Sequence, residues 1–330
     1  MRYIILTLIF ILSLLQGDEE YQLGKGTQVG SLPFYMGGYF SLDFKHTDEI
    51  QRYRVDDIAL LGYGSYEKLS YMAEFEFKEF YVKTNKNGTK TLTKDNKLYT
   101  ERLYVDYNLD ENYMLRVGKY NSPIGFWNLL PINVLRETTS NPMTSSIIFP
   151  KFTTGLGTSY LSYGEGELKI DVMLQDNNDI NFEYNNYHID KHYGFGISYS
   201  IDDYTLKLNS GYFHNLNDNR VDDELYYMLL STKYESEKYQ LLAEIGSQKS
   251  KSHYTTDYAL YVQGLYRFTQ NHIGVIRVES YDENVNATSD NILIFGYTYR
   301  PLYPIAVKSE YQFYSKSEQN QFLLSFSVLF

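Results

Sequence analysis

From Gly30 to Phe330 the chain alternates apolar and polar side chains with a period of two, and one long stretch breaks the pattern. Tyr71, Ala73, Phe75 and Phe77 interleave with Met72, Glu74, Glu76 and Lys78. Leu103, Val105 and Tyr107 interleave with Arg102, Tyr104 and Asp106, and Tyr239, Leu241, Ala243 and Ile245 with Gln240, Leu242, Glu244 and Gly246. Successive side chains of a strand point to opposite faces, so this pattern demands sheet with two unlike faces. A soluble sandwich alternates as well. What decides between a sandwich and a closed wall is how the strands are joined and how the chain ends.

Marking every alternating run gives about 16 strands, an even number within the range of single-chain membrane barrels. The first spans Gly30–Lys45, the fifth Asn112–Tyr120, the sixth Phe152–Tyr163 and the last Gln321–Phe330. Connections after even-numbered strands are short and rich in turn residues, such as Gly64-Ser65, Asp202-Asp203 and the Pro301–Pro304 corner. The long ones all follow odd-numbered strands: Lys83–Lys97, Asn121–Pro150, Asp176–Asp190, Asn215–Asp222 and Asp282–Asp290. An up-and-down barrel with both termini on one side of a membrane sorts its loops in this way, whereas a Greek key has no reason to. The end of the chain agrees. Phe322, Leu324, Phe326, Val328 and Phe330 form one unbroken apolar face. In a soluble protein that is an adhesive edge strand, while in a barrel it pairs with the first strand and faces hydrocarbon. The expected fold is therefore all-β: a transmembrane antiparallel up-and-down barrel over residues 30–330.

The break in the pattern is Asn121–Pro150. It holds the only tryptophan, Trp127, and four of the seven prolines, Pro123, Pro131, Pro142 and Pro150. Proline donates no hydrogen bond and is excluded from central strands, so this segment is not wall. It is too apolar for a free loop, since Phe126, Trp127, Leu130, Ile132, Val134, Leu135, Ile148 and Phe149 all call for burial. The expectation is a loop folded into the lumen as a constriction, with Trp127, Pro131 and Leu135 as anchors and a short helix over Pro131–Glu137.

Composition excludes several other classes. There is no cysteine, hence neither a disulfide framework nor a thiolate metal site. The net charge is −11, with no basic run to hold nucleic acid. Mean hydropathy is −0.41, which argues against a helical membrane protein but not a barrel, where only alternate residues meet lipid. Residues 1–17 differ from all that follows: Arg2 precedes the apolar run Ile4–Leu15, too short to span a bilayer, and Gly17 supplies a small residue for cleavage. This reads as a secretory signal peptide, followed by a polar lead-in over residues 18–29.

These features resemble the general-porin superfamily of bacterial outer-membrane channels. The run Arg116-Val117-Gly118-Lys119-Tyr120-Asn121-Ser122-Pro123-Ile124-Gly125 resembles a strand-to-loop junction of the phosphate-selective porin O and P family. The resemblance implies a loop after the fifth strand that narrows the pore, a homotrimer, and a carboxy-terminal strand (Phe326, Val328, Phe330) that the barrel-assembly machinery reads. Phosphate-selective members imply an inward ladder of Arg and Lys, and no such ladder runs through this sequence.

The pore reading requires polar groups on the inward phase. The candidates are Glu74, Glu76, Lys78, Arg102, Asp106, Arg116, Lys119, Glu244, Arg277, Glu279, Lys308 and Glu310 on the wall, with Asn133, Arg136, Glu137 and Asn141 on the loop. Mixed signs give a transverse field and weak selectivity. The competing role for each is to pair across strands and stabilise the wall. His188 and His192 have helical ligand spacing but sit in no predicted helix, so no metal site follows. The acidic run Asp218, Asp222, Asp223 and Glu224 suits a solvated loop. No catalytic motif and no cofactor-binding motif is found. The expected function is passive diffusion of small hydrophilic solutes across the outer membrane. The alternatives are a barrel hydrolase and a surface adhesin.

Overall fold

The structure is a computed structural model, and it describes residues 23–216, 224–251, 253–317 and 319–330. The expected signal peptide, most of the lead-in, and Asp218, Asp222 and Asp223 lie outside the described residues. One antiparallel sheet of 18 strands accounts for nearly everything else. Two of these are short accessory pieces, Thr27–Gln28 and Thr89–Thr93. The other sixteen make the wall: β1 Phe34–His46, β2 Ile50–Tyr66, β3 Leu69–Lys86, β4 Tyr99–Asn108, β5 Tyr113–Asn121, β6 Phe152–Tyr163, β7 Glu167–Asp176 and β8 Ile189–Ile201. They continue as β9 Tyr204–Asn215, β10 Glu224–Glu235, β11 Tyr239–Lys249, β12 Tyr254–Arg267, β13 His272–Glu283, β14 Thr288–Leu302, β15 Ile305–Tyr314 and β16 Gln321–Leu329.

Each strand pairs with the next, and β16 pairs with β1 from Phe322↔His46 to Leu329↔Tyr39. Phe330 completes the seam: its N–H donates to the Gly38 carbonyl at 2.7 Å, and Gly38 N–H to the Phe330 carbonyl at 2.8 Å. The wall thus has no free edge, the condition for backbone to lie in hydrocarbon.

Burial runs opposite to that of a soluble protein. Leu103, Val105, Leu241, Ile245, Ile276, Val278, Phe295 and Phe326 are exposed on the outside. Their strand neighbours Arg102, Asp106, Glu244, Arg277, Glu279 and Ser325 are buried inside. The 36 tyrosines find their place here. Pairs such as Tyr113–Tyr160 (4.7 Å), Tyr204–Tyr234 (4.8 Å) and Tyr239–Tyr266 (5.1 Å) ring the short-turn end. Tyr193–Tyr212 (6.0 Å) and Tyr212–Tyr226 (5.2 Å) belong to the other end. Two aromatic belts flanking an apolar band are what a bilayer-spanning barrel presents to its two interfaces.

Two expected loops are corrected. Asp282–Asp290 is mostly strand: the β13–β14 ladder continues to Glu283↔Thr288, leaving only Asn284–Ala287 as a turn. Lys83–Lys97 is partly strand as well, because β3 runs to Lys86 and Thr89–Thr93 pairs back on it through Asn87-Gly88, both at positive φ. Beyond the apolar band both strand faces are wet, so no alternation marks these extensions in the sequence. The long connections that remain, 87–98, 122–151 and 177–188, all lie at the end opposite the short turns.

Candidate pore and its constricting segment

Segment 122–151 enters the barrel and lies along the inner face of β9–β16. An irregular chain in that position needs a partner for each backbone polar group, and inward side chains supply them. Lys207 donates to the Gly125 carbonyl (2.9 Å), and Asn209 accepts from Gly125 N–H (3.0 Å). Glu244 accepts from Phe126 N–H and from Trp127 N–H (3.3 Å), Glu279 from Met143 N–H (2.9 Å), and Glu310 from Thr139 N–H (2.9 Å) and Ser140 N–H (3.2 Å). Arg277 donates to Thr138 (3.0 Å) and the Ser140 carbonyl (3.2 Å), and Lys308 to the Asn133 carbonyl (2.6 Å). Two apolar clusters complete the attachment. Ile124, Ile148 and Phe149 pack with Met173, Phe213 and Tyr227, and Ile132 and Val134 with Tyr39, Leu61 and Ala306, with Leu135 at the margin.

The helix expected over Pro131–Glu137 is a single 3-10 turn, Asn133–Leu135. Its carbonyls are taken by the wall before a second turn can use them: Lys308 holds Asn133, while Arg300 holds Val134 (2.6 Å) and Arg136 (3.1 Å). Glu137 pairs with Arg300 at 3.1 Å. Trp127 is buried and donates to Asn141 at 3.2 Å. Arg136 reaches the same Asn141 oxygen (2.6 Å) and the carbonyls of Leu130 and Pro131.

The opposite wall is only partly covered. Between the segment and β1–β4 lies a cavity of about 240 Å³, wide enough for several waters. Its acids are Asp56, Asp57, Glu76 and Glu101, and its bases Arg54, Lys78, Arg136 and Lys151. Pro131, Asn133 and Asn141 line it from the segment, and Tyr184 closes one side. Toward the loop end a second space is bounded by Asp43, Lys45, Arg52, Arg54 and Gln321. Toward the short-turn end a third is bounded by Arg102, Tyr104, Arg116, Tyr120, Lys169 and Asp171. There Arg116 grips both oxygens of Asp106 (2.6 and 2.7 Å) and lies 4.2 Å from the Tyr104 ring. Glu74 and Arg102 form a buried pair.

The structure therefore separates the sequence candidates. Glu76, Lys78, Arg102, Arg116, Asn133, Arg136 and Asn141 border open space. Glu244, Arg277, Glu279, Lys308 and Glu310 are spent on holding the segment. Lys119 is buried against loop 177–188, donating to the carbonyls of Ile180 and Asn181 (2.9 Å) and lying 3.4 Å from Asp179. Among the described residues no cluster of His, Asp and Glu is arranged to hold a metal. His192 instead bridges Thr153 and Tyr227, at 2.9 Å each.

Asp56, Asp57, Glu101, Lys151 and Tyr184 escaped the sequence reading. The ladder breaks register between Val55 and Asp57 and beside Glu101, and at such a break consecutive residues share a face. Lys151 lies just outside the wall strands. Burial first, then Arg136 and Lys78, pull its ammonium down to about 8.

The fold is that of a porin-type barrel. Salmonella typhi OmpF, in a structure with daunomycin, superposes with a TM-score of 0.61 at 12% identity, over 94% of this chain and 100% of that one. The outer-membrane channel DcaP of Acinetobacter baumannii gives 0.59 at 12% identity, over 94% and 100%. An anion-selective porin from Comamonas acidovorans gives 0.59 at 10% identity, over 90% and 99%. No family model and no curated protein matches the sequence.

Proposed function

We propose that the chain is a non-enzymatic porin of the bacterial outer membrane, passing small hydrophilic solutes by diffusion. One observation carries the reading. The inserted segment is fixed mainly to β9–β16 and leaves charged cavities between itself and β1–β7. Asp57, Glu76, Lys78, Glu101, Arg136 and Lys151 set the field there, and Trp127, Pro131 and Leu135 hold the segment that narrows it. Four acids against four bases along the passage favour weak ion selectivity over a phosphate-type anion preference. A homotrimer and recognition of Phe326, Val328 and Phe330 during assembly belong to the same proposal and rest on resemblance.

Reconstitution in planar bilayers tests it. Stepwise ohmic conductance is expected, with a reversal potential in a salt gradient well short of the ideal for either ion. A folded barrel that passes no current overturns the channel reading and favours a filled barrel with another role, hydrolase or adhesin. A strong anion preference overturns the balanced passage.

A further inference from the structure

We infer that the passage contains a binding subsite for a primary ammonium group, built from Glu76, Glu101, Asp57 and Tyr39. The inference rests on the channel reading for its electrical readout only. The Tyr39 hydroxyl oxygen lies 2.8 Å from Glu74 Oε1, 3.1 Å from Glu76 Oε2 and 3.2 Å from Glu101 Oε2. A hydroxyl has one proton to give, and three carboxylates meet it. The nearby guanidiniums are engaged elsewhere: Arg102 with Glu74, Arg54 with Asp43 (2.9 Å) and Asp56 (2.8 Å), and Arg136 with Asn141 (2.6 Å) and the Pro131 carbonyl (2.6 Å). Asp57 receives the Ser41 hydroxyl, at 3.0 Å. Glu76 is 1% exposed, and its Oε1 has no hydrogen-bond partner. An orphaned, buried carboxylate oxygen costs free energy that a bound cation recovers.

Glu76, Glu101, Asp57 and Tyr39 all line the cavity between the segment and β1–β4. The chemistry of the ligand follows from the acceptors. The carboxylates do not close on a point that holds a metal ion, among the described residues. They offer separate oxygens on one side of a polar cavity, which suits a group with three diverging N–H donors and no acceptor. Trp127 and Tyr184 add aromatic surface, and Lys78 already places its own ammonium 5.0 Å from the Tyr184 ring.

The test uses the full barrel in bilayers with n-propylammonium chloride, and tetramethylammonium chloride as a cation without N–H donors. Trp127 borders the site and is the only tryptophan, so its fluorescence reports occupancy without any current. The expected result is conductance and fluorescence that saturate with n-propylammonium but not with tetramethylammonium. Glu76→Gln, and independently Glu101→Gln, should weaken the apparent affinity at least tenfold while the barrel keeps its heat-modifiable migration on gels. Equal behaviour of the two cations, saturation that survives Glu76→Gln, or displacement of n-propylammonium by equimolar calcium overturns the subsite. Potassium current with no amine saturation sinks the subsite alone. Absence of any current sinks the channel reading, and the fluorescence titration still decides the subsite.

Discussion

At the scale of single residues, the entry of the inserted segment turns on Gly125. It sits at φ +64, and a Cβ there would lie 2.7 Å from Glu244 Oε1, the oxygen that holds Phe126 and Trp127. Gly125→Ala is therefore strained in conformation and in space, at a cost of about 1–2 kcal/mol for the left-handed backbone alone. The expected outcome is a folded barrel with a loosened segment, seen as noisier and larger single-channel current. Lys151 gives a pH signature. Its ammonium is held near 8, so it is charged at pH 6 and neutral at pH 10, while Arg136 beside it stays charged. Losing a positive charge from the passage leaves its carboxylates less opposed. The reversal potential should then move toward cation preference as pH rises through 8, and Lys151→Met should reduce that movement.

At the scale of elements, two inserted segments act as one body. Loop 177–188 supports the longer segment through its side-chain amides. Asn186 accepts from Lys151 N–H (2.9 Å) and donates to the carbonyls of Ser146 (3.0 Å) and Phe149 (2.9 Å). Tyr187 donates to the Ile147 carbonyl (2.7 Å), and Asn181 accepts from Thr100 N–H (2.8 Å). Asn186→Ala removes three such bonds at about 1 kcal/mol each. Thermal unfolding should register the loss, and the segment should become accessible to protease. Tyr184→Gly, on the same loop, removes one side of the passage and should raise conductance without a comparable loss of stability.

At the scale of the molecule, the fold is defined by which face of the wall meets hydrocarbon. Ile276 is 53% exposed on the outside, and Arg277 beside it is fully buried within. An arginine on the lipid face near mid-membrane costs about 2–4 kcal/mol. Ile276→Arg should lower folding yield and unfolding free energy in lipid by that order, measured by denaturant titration in vesicles. Truncation of Phe330 tests closure. The residue supplies both hydrogen bonds of the last seam pair with Gly38, so its loss should slow assembly and reduce the heat-resistant form on gels.

Period-two alternation, the sorting of loops to one end and the apolar last strand were sufficient, within the sequence alone, to specify the barrel and its sixteen strands. Each is a local property that the bilayer enforces residue by residue, because a side chain facing lipid must be apolar wherever it occurs. The proline-rich break at Asn121–Pro150 marked the inserted segment for the same reason, being too apolar to leave the barrel and too broken to join it. The passage was decided elsewhere. Asp57 and Glu101 face inward because the ladder slips beside them, and Tyr184 arrives on a loop whose position depends on Asn185 and Asn186 finding Phe152 and Phe149. Whether an inward charge faces water or secures the segment, as Lys78 and Glu310 respectively do, depends on which half of the wall that segment covers. Only the closed, packed structure fixes that choice.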